Sequence, residues 1–461
     1  MPTDPRADAR SGDTKPPALP RLALAGVAIL VLLVLAACSN SGPTTVTVHG
    51  LVTDQLRTPL GVAFPGITAT AAVGAADVPV ASDGTFTIDG VTPPYDLTIA
   101  VPSLNIVLVY LGLTRSDPTL SLIEVGPTQH SADVSGSIGV TLASGEVGAL
   151  VPGSDRYVLG GTLLSAGDGP SFGPLTLGWG GGATRAATLY ALTATASGGP
   201  PTAFTGFGST SLSLTDGATV TGADITLDSV TTSSMDGNIT APAGYTVQDA
   251  GAVLRLGSPT GALVGIGSGS MSGGSFTGLN VPVHSGIAYG IVGAAQGSAG
   301  GMTEAWSNAA GPGTTATLTL PAPAVQTAPA SGATGIGPGT PFRFTALPSA
   351  VYVAVLAGPS ASDPDVYVVT DQTSFDLPDL SNVGMPLTAG ASYTYNVAAL
   401  GPFASIDDFT DAARGLTGEV QLETLLTSGS GTLPYAGGPT DAGGQPVFLT
   451  NSASTDFTTA P

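Results

Sequence analysis

Three short stretches share one pattern, and that recurrence constrains the fold more than any other feature. Val48-His49-Gly50-Leu51-Val52, Val134-Ser135-Gly136-Ser137-Ile138 and Met235-Asp236-Gly237-Asn238-Ile239 each read apolar, polar, Gly, variable, apolar. Each is followed by a strand built around one tyrosine: Tyr95 within 84–101, Tyr190 within 186–196 and Tyr289 within 274–294. Each unit then closes on an alternating run, at 119–125, 223–230 and 316–320. Alternation sends one set of side chains to a core and the other to water. The spacing suits a small domain, so the expectation is three divergent copies of one β-sandwich, at 44–128, 132–230 and 233–321.

Composition supports an all-β reading. The 66 glycines and 38 prolines punctuate many short β-prone runs, as tandem β-sandwiches require. A hydrophobic fraction of 42% is too high for a disordered acidic tail. After residue 321 the texture changes. Residues 322–335 are crowded with Pro and Ala and read as a semi-rigid linker. Strand-like runs follow at 341–347, 350–358, 366–370, 373–380 and 387–402, with 454–461 as the closing strand of a fourth domain, 336–461. Residues 404–450 then form an insertion. Its start suggests a turn or two of helix with Ser405 as cap and Gly415 as stop.

The first unit resembles a carboxypeptidase regulatory-like domain. The resemblance rests on "VTVHGLVTDQLRTPLGVAF" (46–64) and "SDGTFTIDGVTPPYDLTIAV" (82–101). It covers about 80 residues and is weaker in the second and third units. It implies a seven-stranded prealbumin-like (transthyretin-like) sandwich without peptidase residues, used as spacer, stabiliser or interaction module. The residues agree: Asp83-Gly84 suits a hairpin turn, and Phe86, Ile88, Leu97 and Ile99 alternate toward one core. The fourth domain resembles a fibronectin type III or bacterial immunoglobulin-like domain. Tyr393, Tyr395 and Val397, preceded by Leu387 and Gly390, carry that likeness.

Cys38 is the one cysteine, so it forms no internal disulfide and no multi-thiolate metal site. It follows an apolar run, Leu22 to Ala37, that is short for a membrane span and suits an export signal. Leu35-Ala36-Ala37-Cys38 resembles a bacterial lipobox, which implies removal of residues 1–37 and a lipid on the Cys38 sulfur. A polar leader holding Asp4, Asp8 and Asp13 departs from the usual short basic start. The alternative is an uncleaved signal anchor. Two acyl chains hold a protein on a bilayer where one does so only marginally.

The expected mature chain, 38–461, has seven arginines, no lysine and 29 acids, for a net charge of −22. Such a surface excludes nucleic-acid binding and repels anionic lipid. Chemistry-bearing motifs are sparse. His49, His130 and His284 lack metal-ligand spacing. "GPSFG" (169–173) matches a nucleophile elbow in letters, but Pro170 precedes Ser171 and no helix pattern follows. "SDPDV" (362–366) and "IDDFTD" (406–411) group acids without a calcium-loop pattern, so solvated loop carboxylates are the default. Trp179 in "GWGGG" and Trp306 in "MTEAWSN" each have two readings: an exposed ring that stacks on a sugar, or a rim residue covering a core.

The sequence therefore points to a non-enzymatic, lipid-anchored protein of a bacterial cell membrane or outer membrane, facing periplasm or cell surface. It expects no cofactor, no metal and no catalytic residue. Its partners would be the bilayer, through acylated Cys38, and an unidentified envelope or extracellular protein or glycan. Sandwiches in series would hold the fourth domain away from the membrane as a structural or adhesion-like module. A carbohydrate- or polymer-binding lipoprotein is the alternative.

Overall fold

The structure is a computed structural model that describes residues 44–54, 58–122, 130–154, 158–196, 201–257, 262–267, 273–307, 310–411 and 446–461. Cys38 and its preceding Leu35, Ala36 and Ala37 lie outside these residues, as does Gly415. No helix among the described residues is long and apolar enough to cross a membrane.

The first copy contains β1 (Val46–Thr53), a helical turn α1 (Leu60–Ala63), β2 (Thr70–Val73), β3 (Ala76–Pro79), β4 (Thr85–Val91), β5 (Tyr95–Val101), β6 (Ile106–Leu113) and β7 (Thr119–Ser121). One sheet runs β4-β1-β7 and the facing strands run β3-β2-β5-β6. Phe86, Ile88, Leu97 and Ile99 are all buried between them, as their alternation requires. Gly84 takes φ 79°, and the Asp83 carboxylate accepts the Thr85 amide at 3.0 Å, which makes the expected turn.

The second copy has β8 (His130–Ser137), β9 (Glu146–Gly153), β10 (Val158–Leu159), β11 (Thr162–Leu164), β12 (Ser171–Trp179), β13 (Thr184–Thr195), β14 (Ala203–Thr215), β15 (Thr219–Val220) and β16 (Asp228–Ser229). The third has β17 (Thr231–Thr240), β18 (Tyr245–Leu256), β19 (Ala262–Gly267), β20 (Ser275–Val283), β21 (Ile287–Gly297), β22 (Met302–Ser307) and β23 (Thr315–Thr319). The strand orders repeat. Sheets β10-β12-β8-β15 and β20-β17-β23 correspond to β4-β1-β7. Likewise β11-β9-β13-β14-β16 and β19-β18-β21-β22 correspond to β3-β2-β5-β6. In every copy the opening strand pairs antiparallel with the tyrosine-preceding strand and parallel with the closing one.

The recurrent glycine has a structural cause. Gly50, Gly136 and Gly237 stand opposite Phe86, Phe172 and Phe276. In copies one and three the phenyl ring lies over the glycine: a Cβ there would meet ring atoms at 2.0 Å and 2.1 Å. In copy two a Cβ on Gly136 would instead meet the Ala223 carbonyl oxygen at 2.2 Å. A glycine inside a strand marks such close approach. Residues 223–230 of copy two are less regular than their alternation implies. Ala223 and Ile225 donate to Ser135 and Ser137 of β8, and the chain then crosses to the other sheet as β16.

The fourth unit comprises β24 (Gln326–Ala328), β25 (Ala333–Ile336), β26 (Pro341–Phe344), β27 (Val351–Ala357), β28 (Asp365–Thr370), β29 (Ser374–Asp376), β30 (Ser392–Gly401), helical turn α2 (Ile406–Phe409), β31 (Val447–Asn451) and β32 (Thr455–Thr459). Sheet β24-β26-β29 faces β31-β30-β27-β28, with β32 beside β30 and β25. Phe342 stacks on Phe375 at 5.1 Å and meets Tyr395 and Phe457 edge-on. The 322–335 stretch is not a linker. Ala324 is buried in this core, and β24 and β25 are built from the same residues, pairing with β26 and β32. Its Pro and Ala residues mark irregular edge strands rather than a spacer.

The units do not run in series. The outer edge of β6 pairs in parallel with β28, from Ile106–Asp365 to Tyr110–Val369. The outer edge of β22 pairs antiparallel with β31, from Met302–Asn451 to Trp306–Val447. The fourth unit thus lies between copies one and three, and the three share one fourteen-stranded sheet. Val46–Pro461 forms a single compact unit. An open strand edge leaves a row of unpaired N–H and C=O groups, and pairing edge to edge satisfies both rows at once.

Candidate functional site

No nucleophile, base and oxyanion donor converge among the residues singled out by sequence. Ser171 opens strand β12 opposite Ser137, with Phe172 opposite Gly136, so "GPSFG" lies at the start of a strand and not at a strand-to-helix turn. Trp179 is 1% exposed and donates its indole N–H to the Gly182 carbonyl at 2.9 Å. Trp306 is 4% exposed, inside the core that joins β22 to the fourth unit. Both rings are core residues, so neither offers a face for stacking on a sugar. His49 lies beside Thr87, His130 beside Asp216 and Gly181, and His284 beside Asp228 and Phe207. No group of three or more His, Cys, Asp or Glu able to hold a metal occurs among the described residues.

The acidic clusters have structural work instead. Ser405 caps α2 by accepting the Asp408 amide, and Asp408 returns by accepting the Ala404 amide at 3.2 Å. Asp407 reaches across to copy one. One carboxylate oxygen accepts the Thr114 amide at 2.9 Å and the Arg115 amide at 3.2 Å, and the other accepts the Thr114 hydroxyl. The Arg115 guanidinium donates to the Asp407 carbonyl at 2.8 Å and pairs with Asp117 at 3.0 Å and Asp411 at 3.3 Å. Tyr95 donates its hydroxyl to the Arg115 carbonyl at 2.5 Å. Burial, with the nearby Asp407 charge second, holds that phenol well above the usual tyrosine range.

At the other end of the same seam Asp365 donates its amide to Asn105, and Asn105 donates its side-chain amide to the Ala361 carbonyl. Asp365 accepts the Gly358 amide at 2.8 Å, yet burial raises its carboxyl above the ordinary range. Asp363 accepts the Ser360 hydroxyl, which lowers its own. The two acids of "SDPDV" are therefore occupied by local bonds.

Copy two joins copy three by faces rather than edges. Leu192, Ala194, Phe204 and Phe207 of copy two share one core with Leu256 and Ile287 of copy three. Phe207 stacks on Tyr190 at 6.2 Å and meets His284 at 4.9 Å. Asn280 donates to the Pro201 and Thr202 carbonyls. An open cavity of about 580 Å³ at one end of copy three is lined by Asn238, Thr240, Tyr245, Thr246, Val247 and Gly274. These joins were not read from sequence. The signals that point to them are Arg115, one of few cations among many acids, and Asp407, in an acid cluster without calcium spacing.

No family model and no curated protein matches the chain. Among solved structures it is similar to a tetra-tandem repeat in the extending region of a large adhesion protein. That match has 14% identity and a TM-score of 0.13 over 78% of this chain and 96% of the other. A leucine-rich repeat protein from Bacteroides thetaiotaomicron matches at 9% identity and TM-score 0.13, over 42% of this chain and 26% of that one. Superpositions this loose leave the architecture to be described from the sheets themselves.

Proposed function

We propose that the protein is a structural and interaction module of a bacterial cell envelope, tethered by lipid on Cys38, with no reaction of its own. The observation that carries this reading is the fourteen-stranded sheet, in which the fourth unit closes the open edges of copies one and three. Main-chain pairing on both sides makes the joins stiff, as a load-bearing or presenting body needs and a flexible string does not. A mature charge of −22 suits a soluble surface that contacts neither nucleic acid nor anionic lipid directly.

The anchor is tested by a Cys38→Ala variant in a bacterial host fed an alkyne fatty acid. The wild type is expected to take up label and to stay with membranes through a carbonate wash. The variant is expected to lose both. Equal labelling of the two chains would remove the anchor. A second measurement is independent of labelling efficiency. Lys15 is the only lysine, so a chain cut before Cys38 and acylated on its new amino group has no primary amine. Amine-reactive dye on the unfolded protein should leave it dark, and bright labelling would mean an uncut leader or a free amino terminus.

A further inference from the structure

One strand edge is used twice in this molecule, and its third copy is almost unused. In copy one the fourth strand of the larger sheet, β6, receives β28 on its outer side over five residue pairs. In copy three the equivalent strand, β22, receives β31 over five. In copy two the equivalent strand is β14, at 13 residues the longest of the three. Its outer side carries only the two pairs Gly206–Ser229 and Phe207–Asp228. Beyond them, Ser209 to Leu214 make backbone bonds only to β13 among the described residues.

We propose that Ser209–Leu214 is a self-pairing edge, to which the same strand of a second copy of this chain adds antiparallel across a two-fold axis. An antiparallel partner satisfies the outward N–H and C=O groups of alternate residues. Natural edges are guarded by charge, proline or a bulge. The β3 edge of copy one is guarded, with Asp77 within it and Pro79 at its end. Ser209-Thr210-Ser211-Leu212-Ser213-Leu214 has neither charge nor proline, and its pairing with β13 is regular.

The edge is also self-complementary. Ser209, Ser211 and Ser213 are exposed, while Leu212 and Leu214 are buried in the copy-two core. A two-fold axis at Ser211 sets Ser209 against Ser213 and Thr210 against Leu212. Each face therefore continues across the join, since the side-chain period is two. An isologous contact of this kind closes on itself and gives a dimer rather than a filament. Neither six-residue edge carries a charged side chain, although each chain carries −21 overall. The proposal stands apart from the lipid on Cys38 and holds whether or not that anchor exists.

Sedimentation velocity on the full chain in detergent, from about 1 to 100 µM, tests it. The wild type is expected to dimerise in that range. Ser211→Lys puts two ammonium groups across the axis and is expected to weaken dimerisation at least tenfold. Ser211→Thr is expected to keep it. Far-ultraviolet circular dichroism and the melting temperature check that the Lys variant is folded, and Ser213→Lys repeats the test at a second exposed position. Amide exchange at Ser209–Leu214 should slow as the wild type concentrates. A wild-type monomer throughout, or dimerisation untouched by both Lys variants, overturns the proposal. The second outcome would also mark any association as one made by the anchor in the micelle.

Discussion

Copies one and two are the same strand diagram put to different use. Copy one ends its larger sheet at β6, and that edge is filled by another unit. Copy two ends its larger sheet at β14, fills two positions with its own chain, and instead buries its outer face on copy three. Copy three does both, taking β31 on its edge and copy two on its end. Edge joins combine main-chain pairing with a shared side-chain core that includes Trp306. Face joins rest on particular side chains such as Phe207 and Tyr190. The molecule therefore has two joins in which main-chain pairing adds to side-chain packing, and one contact without strand pairing.

Removing the largest side chain at an edge join should give the largest effect. Trp306 is 4% exposed on β22, opposite Val447 of β31. Trp306→Ala leaves a cavity at the join and should cost about 3–5 kcal/mol. Because the units share a sheet, hydrogen exchange is the cleaner readout: amides of β22 and β31 should open together, ahead of those in β8 and β12. If β22 and β31 stay protected, main-chain pairing alone holds the join, and the contrast with the face join becomes sharper than stated.

Asp407 comes next. Its carboxylate accepts three hydrogen bonds from Thr114 and Arg115, so it pins α2 to the end of β6. Hydrogen bonds to a charged group are worth about 1.5–3 kcal/mol, and Asp407→Ala should cost about 2 kcal/mol. Asp407→Asn keeps an oxygen acceptor and should recover part of that. Urea unfolding followed by β6 exchange checks both. An effect spread evenly over all copies would mean the cluster is not a local latch.

Much of the fold was legible. The three openings, the three tyrosine strands and the third closing run fell where alternation put them, because a half-buried strand writes its burial into every second residue, whereas in copy two the closing strand is 219–220 and not 223–230. Ser405 was legible as a cap because its chemistry is local. The joins were not. The β6–β28 and β22–β31 pairings use backbone groups that every residue carries, so they leave no signature. The Pro/Ala stretch at 322–335 misled for the opposite reason: its composition suits a spacer, but Ala324 and β24 find a core to fill. Trp179 and Trp306 sat beside polar and glycine-rich residues that suggest exposure. Burial there is decided by what packs over the strand, which neighbours in sequence do not report.

The recurrent glycine gives a smaller test of whether the copies are interchangeable. A Cβ on Gly50 meets the outer atoms of the Phe86 ring, which can swing aside. A Cβ on Gly136 meets the Ala223 carbonyl and Cα, which cannot move without the chain. Gly136→Ala should therefore cost about 1–3 kcal/mol, the range of an overpacked core, and Gly50→Ala less. Thermal unfolding of the two variants compares them directly. Equal losses would mean that copy two yields as easily as copy one, and that its different neighbour is incidental.

The smallest effect concerns the charge kept at the parallel join. Burial raises the Asp365 carboxyl, the Gly358 amide opposes that, and Asp363 adds to it. A carboxyl raised in the folded state favours folding in its protonated form. That contribution is complete below the unfolded value, about 3.9, and is lost as pH rises through the folded one. Above the unfolded value the raised carboxyl is thus a cost, carried where β28 meets β6. Asp365→Asn keeps the oxygen that accepts the Gly358 amide and removes the charge. The variant should melt higher than the wild type at pH 7, and the two should converge below about pH 4. Melting curves at pH 3, 5 and 7 decide it. A gap that does not change with pH would mean that the substitution acts through shape, and that the join carries no electrostatic penalty for copy two to lack.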